Sequence, residues 1–431
     1  MHFGHWRHYD WVAGALLIMI GVTILFLYRE YRPARPLRIF QIATLAGVFV
    51  IGGLLFIPAV PRLVTAARQL VISRAPTETS GPFPVTTADI ALASASNSEP
   101  AIPIQIWYPA AGRPVATPGN LAAPQSCLEF LEHQRLANAQ QQFPILLYAP
   151  GNGGVKTDNA STAAELASHG YIVVAIDDID RSPGAMSPLT FDFSSAEVFK
   201  DTLRTADRKV RLQAERALTA LDRLEACTNA GWRGRVRFDR VGFFGFSFGG
   251  ATATEAATFD PRVAAAANLD GWLFGRAAAG EFEKPYMVIL IEDDVFPPAA
   301  QLQSSDFIIR SSAALTGRDM REEIKLANRP HSFGFRIPKA FHENLSDQAF
   351  SRALFKSWLV VNPYRIKSIR DAYLLAFFDT YLRDRAAPLL MQSPSAFGEV
   401  EILKGNQYWL NEAAKSAAQS AGSTLNPQPP L

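Results

Sequence analysis

Gly245-Phe246-Ser247-Phe248-Gly249 is the stretch whose reading decides the fold. It has the form G-x-S-x-G, follows a short apolar run at residues 240–244, and leads into Gly250-Ala251-Thr252-Ala253. A serine between a strand and a helix sits on a strained turn that projects its oxygen outward. The flanking glycines let the backbone make that turn without a Cβ clash. Small residues after it let the helix pack close to the strand, and the helix N-terminus faces the negative charge that develops during attack. A glycine-rich turn can carry the same five residues by chance, but the strand before and the helix after favour a nucleophile.

Outward from this point, strands and helices alternate. Residues 102–108 alternate as a half-buried strand does, while 143–149 and 171–176 are continuous apolar runs suited to parallel strands buried on both faces. A helix is expected at 162–168, and another over 201–226, where apolar residues recur at 210, 214, 217, 218, 221 and 224. Further strands are expected at 263–269, 286–291 and 332–338, with a small-residue helix from Gly249. This order predicts an α/β domain with a mostly parallel sheet. Joined to the serine turn, it is the α/β-hydrolase fold, placed at residues 76–412. From Ala413 to the end the chain is rich in Ala, Ser, Gln and Pro and reads as a disordered tail.

A serine needs a general base, and in this fold the chain order is Ser, acid, His. Of seven histidines only His331 and His342 follow Ser247. His342 lies just after the expected last strand, where the base belongs, and His331 before it, where an ordinary turn histidine fits. Two sites qualify for the acid: Asp270, after the strand at 263–269, and the cluster Glu292-Asp293-Asp294 after the next strand. Spacing alone leaves the two open, and leaves Asp270 equally readable as a turn aspartate. The oxyanion needs preset N–H donors. One is expected from the backbone of Phe248, the other from Asn152 in Pro150-Gly151-Asn152-Gly153-Gly154, a stretch otherwise readable as a plain turn. Phe246 and Trp272, with Phe248 and Phe274, would give an apolar wall suited to an acyl chain, or simply pack the core. No metal or other cofactor is expected.

The bulk composition narrows the classes. Apolar residues are 48% and charged residues 19% of the 431, which supports a sizeable core. A net charge of +2 without a long basic run argues against nucleic acid as a partner. Cys127 and Cys227 fit no zinc spacing and read as inert core thiols, with a disulfide expected only in an oxidising compartment. Residues 1–75 differ in kind. Two apolar stretches, 11–28 and 39–60, approach or exceed the ~20 residues that cross a bilayer as a helix. Between them, Arg29, Arg32, Arg35 and Arg38 mark a turn at the membrane surface, so a two-helix transmembrane hairpin is expected. Those four arginines place the turn in the cytoplasm and the catalytic domain outside it, a bias that Arg62, Arg68 and Arg74 weaken.

Several stretches together resemble the secreted and bacterial branch of the platelet-activating factor acetylhydrolase family. They are Gly81-Pro82-Phe83-Pro84-Val85, Ile106-Trp107-Tyr108-Pro109, Leu166-Ala167-Ser168-His169-Gly170-Tyr171-Ile172-Val173, Ser247-Phe248-Gly249-Gly250-Ala251-Thr252, Leu269-Asp270-Gly271-Trp272 and His342-Glu343-Asn344. The likeness covers residues 81 to about 350. It implies Asp270 as the acid, by its motif and its 23-residue step from Ser247, and supports His342 as the base. It also implies short-chain or lipid-like ester substrates and no metal. Pro150 and Phe246 stand where the family usually has histidine, which leaves the shape of the oxyanion loop and the substrate preference open. The expected activity is hydrolysis of carboxylic esters through an acyl-enzyme on Ser247. The alternatives are an amidase or peptidase on the same triad, or a catalytically silent membrane-anchored binding domain.

Overall fold

The computed structural model describes residues 78–94, 100–111, 125–127, 135–137, 141–181, 189–227, 232–350 and 362–421. The expected spans at 11–28 and 39–60 lie outside them. Among the described residues no helix is long and apolar enough to cross a membrane.

The strands are β1 (Val85–Leu92), β2 (Ile102–Pro109), β3 (Gln125–Ser126), β4 (Phe143–Ala149), β5 (Ile172–Ile176), β6 (Val236–Phe246), β7 (Val263–Leu269), β8 (Tyr286–Leu290), β9 (Ser332–Arg336) and β10 (Glu401–Ile402). The main helices are α1 (Ala160–Ser168), α2 (Ala196–Cys227), α3 (Phe248–Phe259), α4 (Phe307–Ala327), α5 (Pro363–Arg383) and α6 (Gln407–Ala421). The strands form one sheet in the order β10-β9-β8-β7-β6-β4-β5-β2-β1-β3. From β5 through β4, β6, β7 and β8 to β9 every pairing is parallel, whereas β2 on β5 and β10 on β9 are antiparallel. The all-apolar runs of the sequence, β4, β5 and β8, are buried along their whole length because helices cover both faces.

Side chains alternate between the faces with the two-residue period of a strand. Leu147, Val174 and Phe243 join the core on one side, which includes Ala214, Leu221 and Leu224 of α2. Leu146, Val173 and Phe244 join the other, with Phe377 and Phe378 of α5. The chain steps from β4 to β5 on one side and then crosses to β6 on the other, so strand order reverses at β4. At such a point the loops leaving the carboxyl ends of the strands diverge and open a crevice.

Two expectations change. The tail read as disordered from Ala413 instead begins as helix, since α6 runs to Ala421. Its alanines are good helix formers, and the helix is anchored by buried Trp409 and by Ser416, whose hydroxyl accepts from Arg321 at 2.9 Å. Residues 422–431 lie outside the described set. Cys127 and Cys227 are not inert thiols but a disulfide, with Cα atoms 6.3 Å apart.

Candidate active site

Four residues singled out for chemistry lie on loops leaving the carboxyl ends of parallel strands. Asn152 follows β4, Ser247 follows β6, Asp270 follows β7, and His342 follows β9, in a 3-10 turn at His342–Leu345. The turn at Ser247 is the strained one that the glycines imply, for its φ is 55°. A Cβ on Gly245 would lie 2.0 Å from the carbonyl oxygen of Gly249, and one on Gly249 would lie 2.0 Å from that of Ala149. Only glycine allows the strand end, the turn and α3 to close so tightly. Ser247 is buried, and its amide donates to the Leu269 carbonyl at 2.8 Å, so the serine turn is tied to the end of β7.

Asp270 is likewise a non-glycine residue at positive φ, 58°, and its amide donates to Ile289 O at 3.0 Å. A Cβ on Gly271 would stand 2.0 Å from Ser247 O, so the acid loop packs directly on the serine turn. Strained backbone in two adjoining loops, fixed by hydrogen bonds across strands, is typical of functional sites. The Asp270 side chain is 7% exposed, and its Oδ2 is hydrogen-bonded to His342 Nδ1 across 72 residues of sequence. The imidazole is 31% exposed, and its ring stacks on Phe246, the residue before the serine, with centroids 4.6 Å apart. His331 sits in the turn before β9, its ring edge-on to Tyr381.

The rival acid is close by. Asp294 Oδ2 accepts from Ile291 N at 2.8 Å, and its carboxyl hydrogen-bonds that of Asp270. Two carboxyls in contact cannot both ionise cheaply. Burial, then the charge of Asp270, push Asp294 well above the ordinary carboxylate range. Burial raises Asp270 too, and the hydrogen bond from Asp294 pulls it back. Burial and mutual contact thus favour a proton shared between the two carboxyls, and it is Asp270 whose Oδ2 meets the imidazole.

The loop after β4, expected to serve the oxyanion, abuts the serine, with a Cβ on Gly151 falling 3.3 Å from Ser247 Cβ. The Asn152 side chain is engaged elsewhere, its Nδ2 donating to Leu189 O at 2.8 Å. Phe248 opens α3, where the first amides have no acceptor within the helix. The expected apolar wall divides. Phe248 and Phe274 are buried in a cluster with Phe191, while Trp272 is partly exposed at its edge, 5.7 Å from the Phe191 ring. Sequence reading missed the floor of the acid loop: Asn268 takes Gly271 N on its Oδ1 at 2.8 Å and donates to Glu323 of α4 at 3.0 Å. A glutamate and an aspartate four residues apart in a helix, Asp319 and Glu323, were the available signal.

The comparisons with known proteins agree with this architecture. The model of the dienelactone hydrolase family matches residues 134–355, more than half of the 431-residue chain and a span enclosing the site from Asn152 to His342. A platelet-activating factor acetylhydrolase of Cavia porcellus is 26% identical over 186 residues, 37% of this chain and 42% of that protein. The one of Bos taurus is 28% identical over 162 residues, 31% of this chain and 36% of that protein. The chain thus spans less than half the length of the curated relatives it matches. A solved ferulic acid esterase from Streptomyces cinnamoneus shares the fold with a TM-score of 0.52 at 23% identity, covering 76% of this chain and 98% of that one. The resemblance read from the motifs is therefore found in whole-sequence comparison as well, and the extent of the family match shows that the chain belongs to the dienelactone hydrolase family.

Proposed function

We propose that the protein is a serine hydrolase of carboxylic esters, with Ser247 as nucleophile, His342 as base and Asp270 as acid. The observation that carries the reading is the Asp270–His342 hydrogen bond, formed beside a serine held at a φ of 55°. In the proposed reaction Ser247 Oγ attacks the ester carbonyl while His342 Nε2 takes its proton. Asp270 fixes the Nδ1–H tautomer and stabilises the imidazolium. The amides of Phe248 and Asn152 receive the oxyanion. His342 then protonates the leaving alcohol, and water, activated by the same imidazole, releases the acid. Trp272 and Phe246 offer apolar surface to the acyl group, and the names of the relatives, an acetylhydrolase and an esterase, favour short-chain or lipid-like esters. A series of p-nitrophenyl esters of increasing chain length beside the matching anilide tests this. Short-chain esters should turn over with kcat/KM at least on the order of 10⁴ M⁻¹s⁻¹, within the ordinary enzyme range, and the anilide far more slowly. Preference for the anilide would favour the amidase reading, and no turnover of any ester the silent binding domain.

The apolar stretches at 11–28 and 39–60 support a membrane anchor holding this domain near lipid substrates. The Cys127–Cys227 disulfide supports an oxidising, extracytoplasmic compartment, in agreement with the arginine-rich turn. Protease added to cells whose outer barrier has been opened should digest the domain. Protection would put it in the cytoplasm.

A further inference from the structure

Helix α2 carries a lysine on its buried face. Lys209 lies next to Val210 in the stripe that packs on the sheet, and its side chain is 7% exposed. A buried ammonium is costly unless it is paired and hydrogen-bonded. Two hydrogen bonds and an ion pair meet it: Nζ donates to Asn152 Oδ1 at 2.5 Å and to Asp180 Oδ2 at 2.5 Å, and lies 3.1 Å from Asp178 Oδ1. The two aspartates are themselves 1% and 6% exposed.

These contacts form a closed ring. Asp180 Oδ2 accepts from Lys209 and from Leu189 N at 3.2 Å, Leu189 O accepts from Asn152 Nδ2 at 2.8 Å, and Asn152 Oδ1 accepts from Lys209. The amide of Asn152 can face only one way in this ring. An ammonium offers nothing but donors and a carbonyl nothing but an acceptor, so the oxygen must point at Lys209 and the nitrogen at Leu189. The neighbouring residues are held from the same side. Gly153 N donates to Asp178 Oδ2 at 2.9 Å, Gly153 O accepts from Arg181 Nε at 2.8 Å, and Lys156 N donates to Asp177 Oδ1 at 2.9 Å. The same ammonium stands 5.0 Å over the ring of Phe248. One cation therefore touches both residues whose backbone amides are assigned to the oxyanion.

We propose that Lys209 is a positioning residue for the oxyanion hole: through Asn152 and Phe248 it fixes the two backbone donors in the geometry that the transition state requires. The proposal rests on the site reading given above. It also accounts for how a loop with Pro150 in place of the histidine usual in the resembling family is held in shape, since the constraint comes from α2 and the loop after β5. Its effect belongs to kcat, because misplaced donors weaken the transition state and leave ester binding to the apolar wall.

The test uses the full chain and a soluble p-nitrophenyl ester, with Lys209→Met, Asn152→Ala, their double variant, and Ser247→Ala as the reference for a dead site. Each single variant should lose kcat on the order of 10- to 100-fold, the scale of a misplaced catalytic group, with KM within about threefold. Fluorophosphonate labelling of Ser247 should slow in parallel. The double variant should fall no further than the more impaired single one, since both substitutions break the same linkage. Asn152→Ala keeps the Lys209–Asp178–Asp180 cluster, so it tests the linkage even if Lys209→Met does not fold. An unchanged kcat in Asn152→Ala, a loss confined to KM or to the melting temperature, or additive losses in the double variant would overturn the proposal. Retained turnover in Ser247→Ala would instead overturn the site reading beneath it.

Discussion

Three side chains from three loops carry the proposed chemistry at the residue scale, and one of them could not be chosen from spacing. Asp270 and the 292–294 cluster stayed open until the motif resemblance favoured Asp270. The structure gives the physical reason for the ambiguity. The loops after β7 and β8 are neighbours, and Asp294 reaches the same place from the other side, so that its carboxyl meets that of Asp270. It is Asp270 whose hydrogen bond to His342 the structure shows. Asp270→Asn should therefore cut kcat on a soluble ester on the order of 10⁴-fold, as loss of a triad acid does. Asp294→Asn should cost less than about tenfold, because its side chain meets Asp270 and an amide N–H can still donate to that carboxylate. Steady-state kinetics of the two variants decides the matter, and a reversed order would move the acid to the later loop. The proposed nucleophile and base could be picked out in the sequence because each follows a strand in the order the chemistry requires. The Lys209 ring was not, because its members come from four separate segments and none carries a motif.

At the scale of elements, the strands that were read well are those buried on both faces: β4 and β7 were placed to the residue, and β5 and β8 within one. The edge strands β3 and β10 were missed, as were β1, α4 and α5. In α4 the periodic apolar stripe is broken by charged residues that nevertheless point inward. Asp319 takes the amide of Leu273 at 2.6 Å, and Glu323 takes the Tyr286 hydroxyl at 2.8 Å, so this helix holds the loop that carries Asp270. Burial pushes the Asp319 carboxyl up to about 7 and drives Glu323 well above the carboxylate range. An unfolded aspartate titrates near 3.9, so between that value and about 7 the folded protein binds the extra proton. The stability this gives is complete below about pH 4 and is lost as the pH rises to about 7. Thermal midpoints measured from pH 5 to pH 8 should fall with rising pH, and Asp319→Asn should flatten the slope. Equal slopes in the two proteins would show that Asp319 titrates normally.

Across the described residues, the α/β alternation and the serine turn were enough to read an α/β-hydrolase fold with a mostly parallel sheet. Two molecular features lay beyond that reading. The disulfide joins residues 100 positions apart, and pairing over such a distance leaves no local pattern. The helix α6 follows from a composition that suits a helix and a disordered tail alike, and only packing against α4 distinguishes them. The central claim is that this assembly serves one nucleophile. Its most direct test is to incubate the full-length protein with a fluorophosphonate and map the adduct by peptide mass spectrometry. One phosphonyl group per chain should be found on Ser247, with ester turnover lost in proportion to labelling, and Ser247→Ala should give neither adduct nor turnover while remaining folded. An adduct on another residue, or full labelling of Ser247→Ala, would contradict the account.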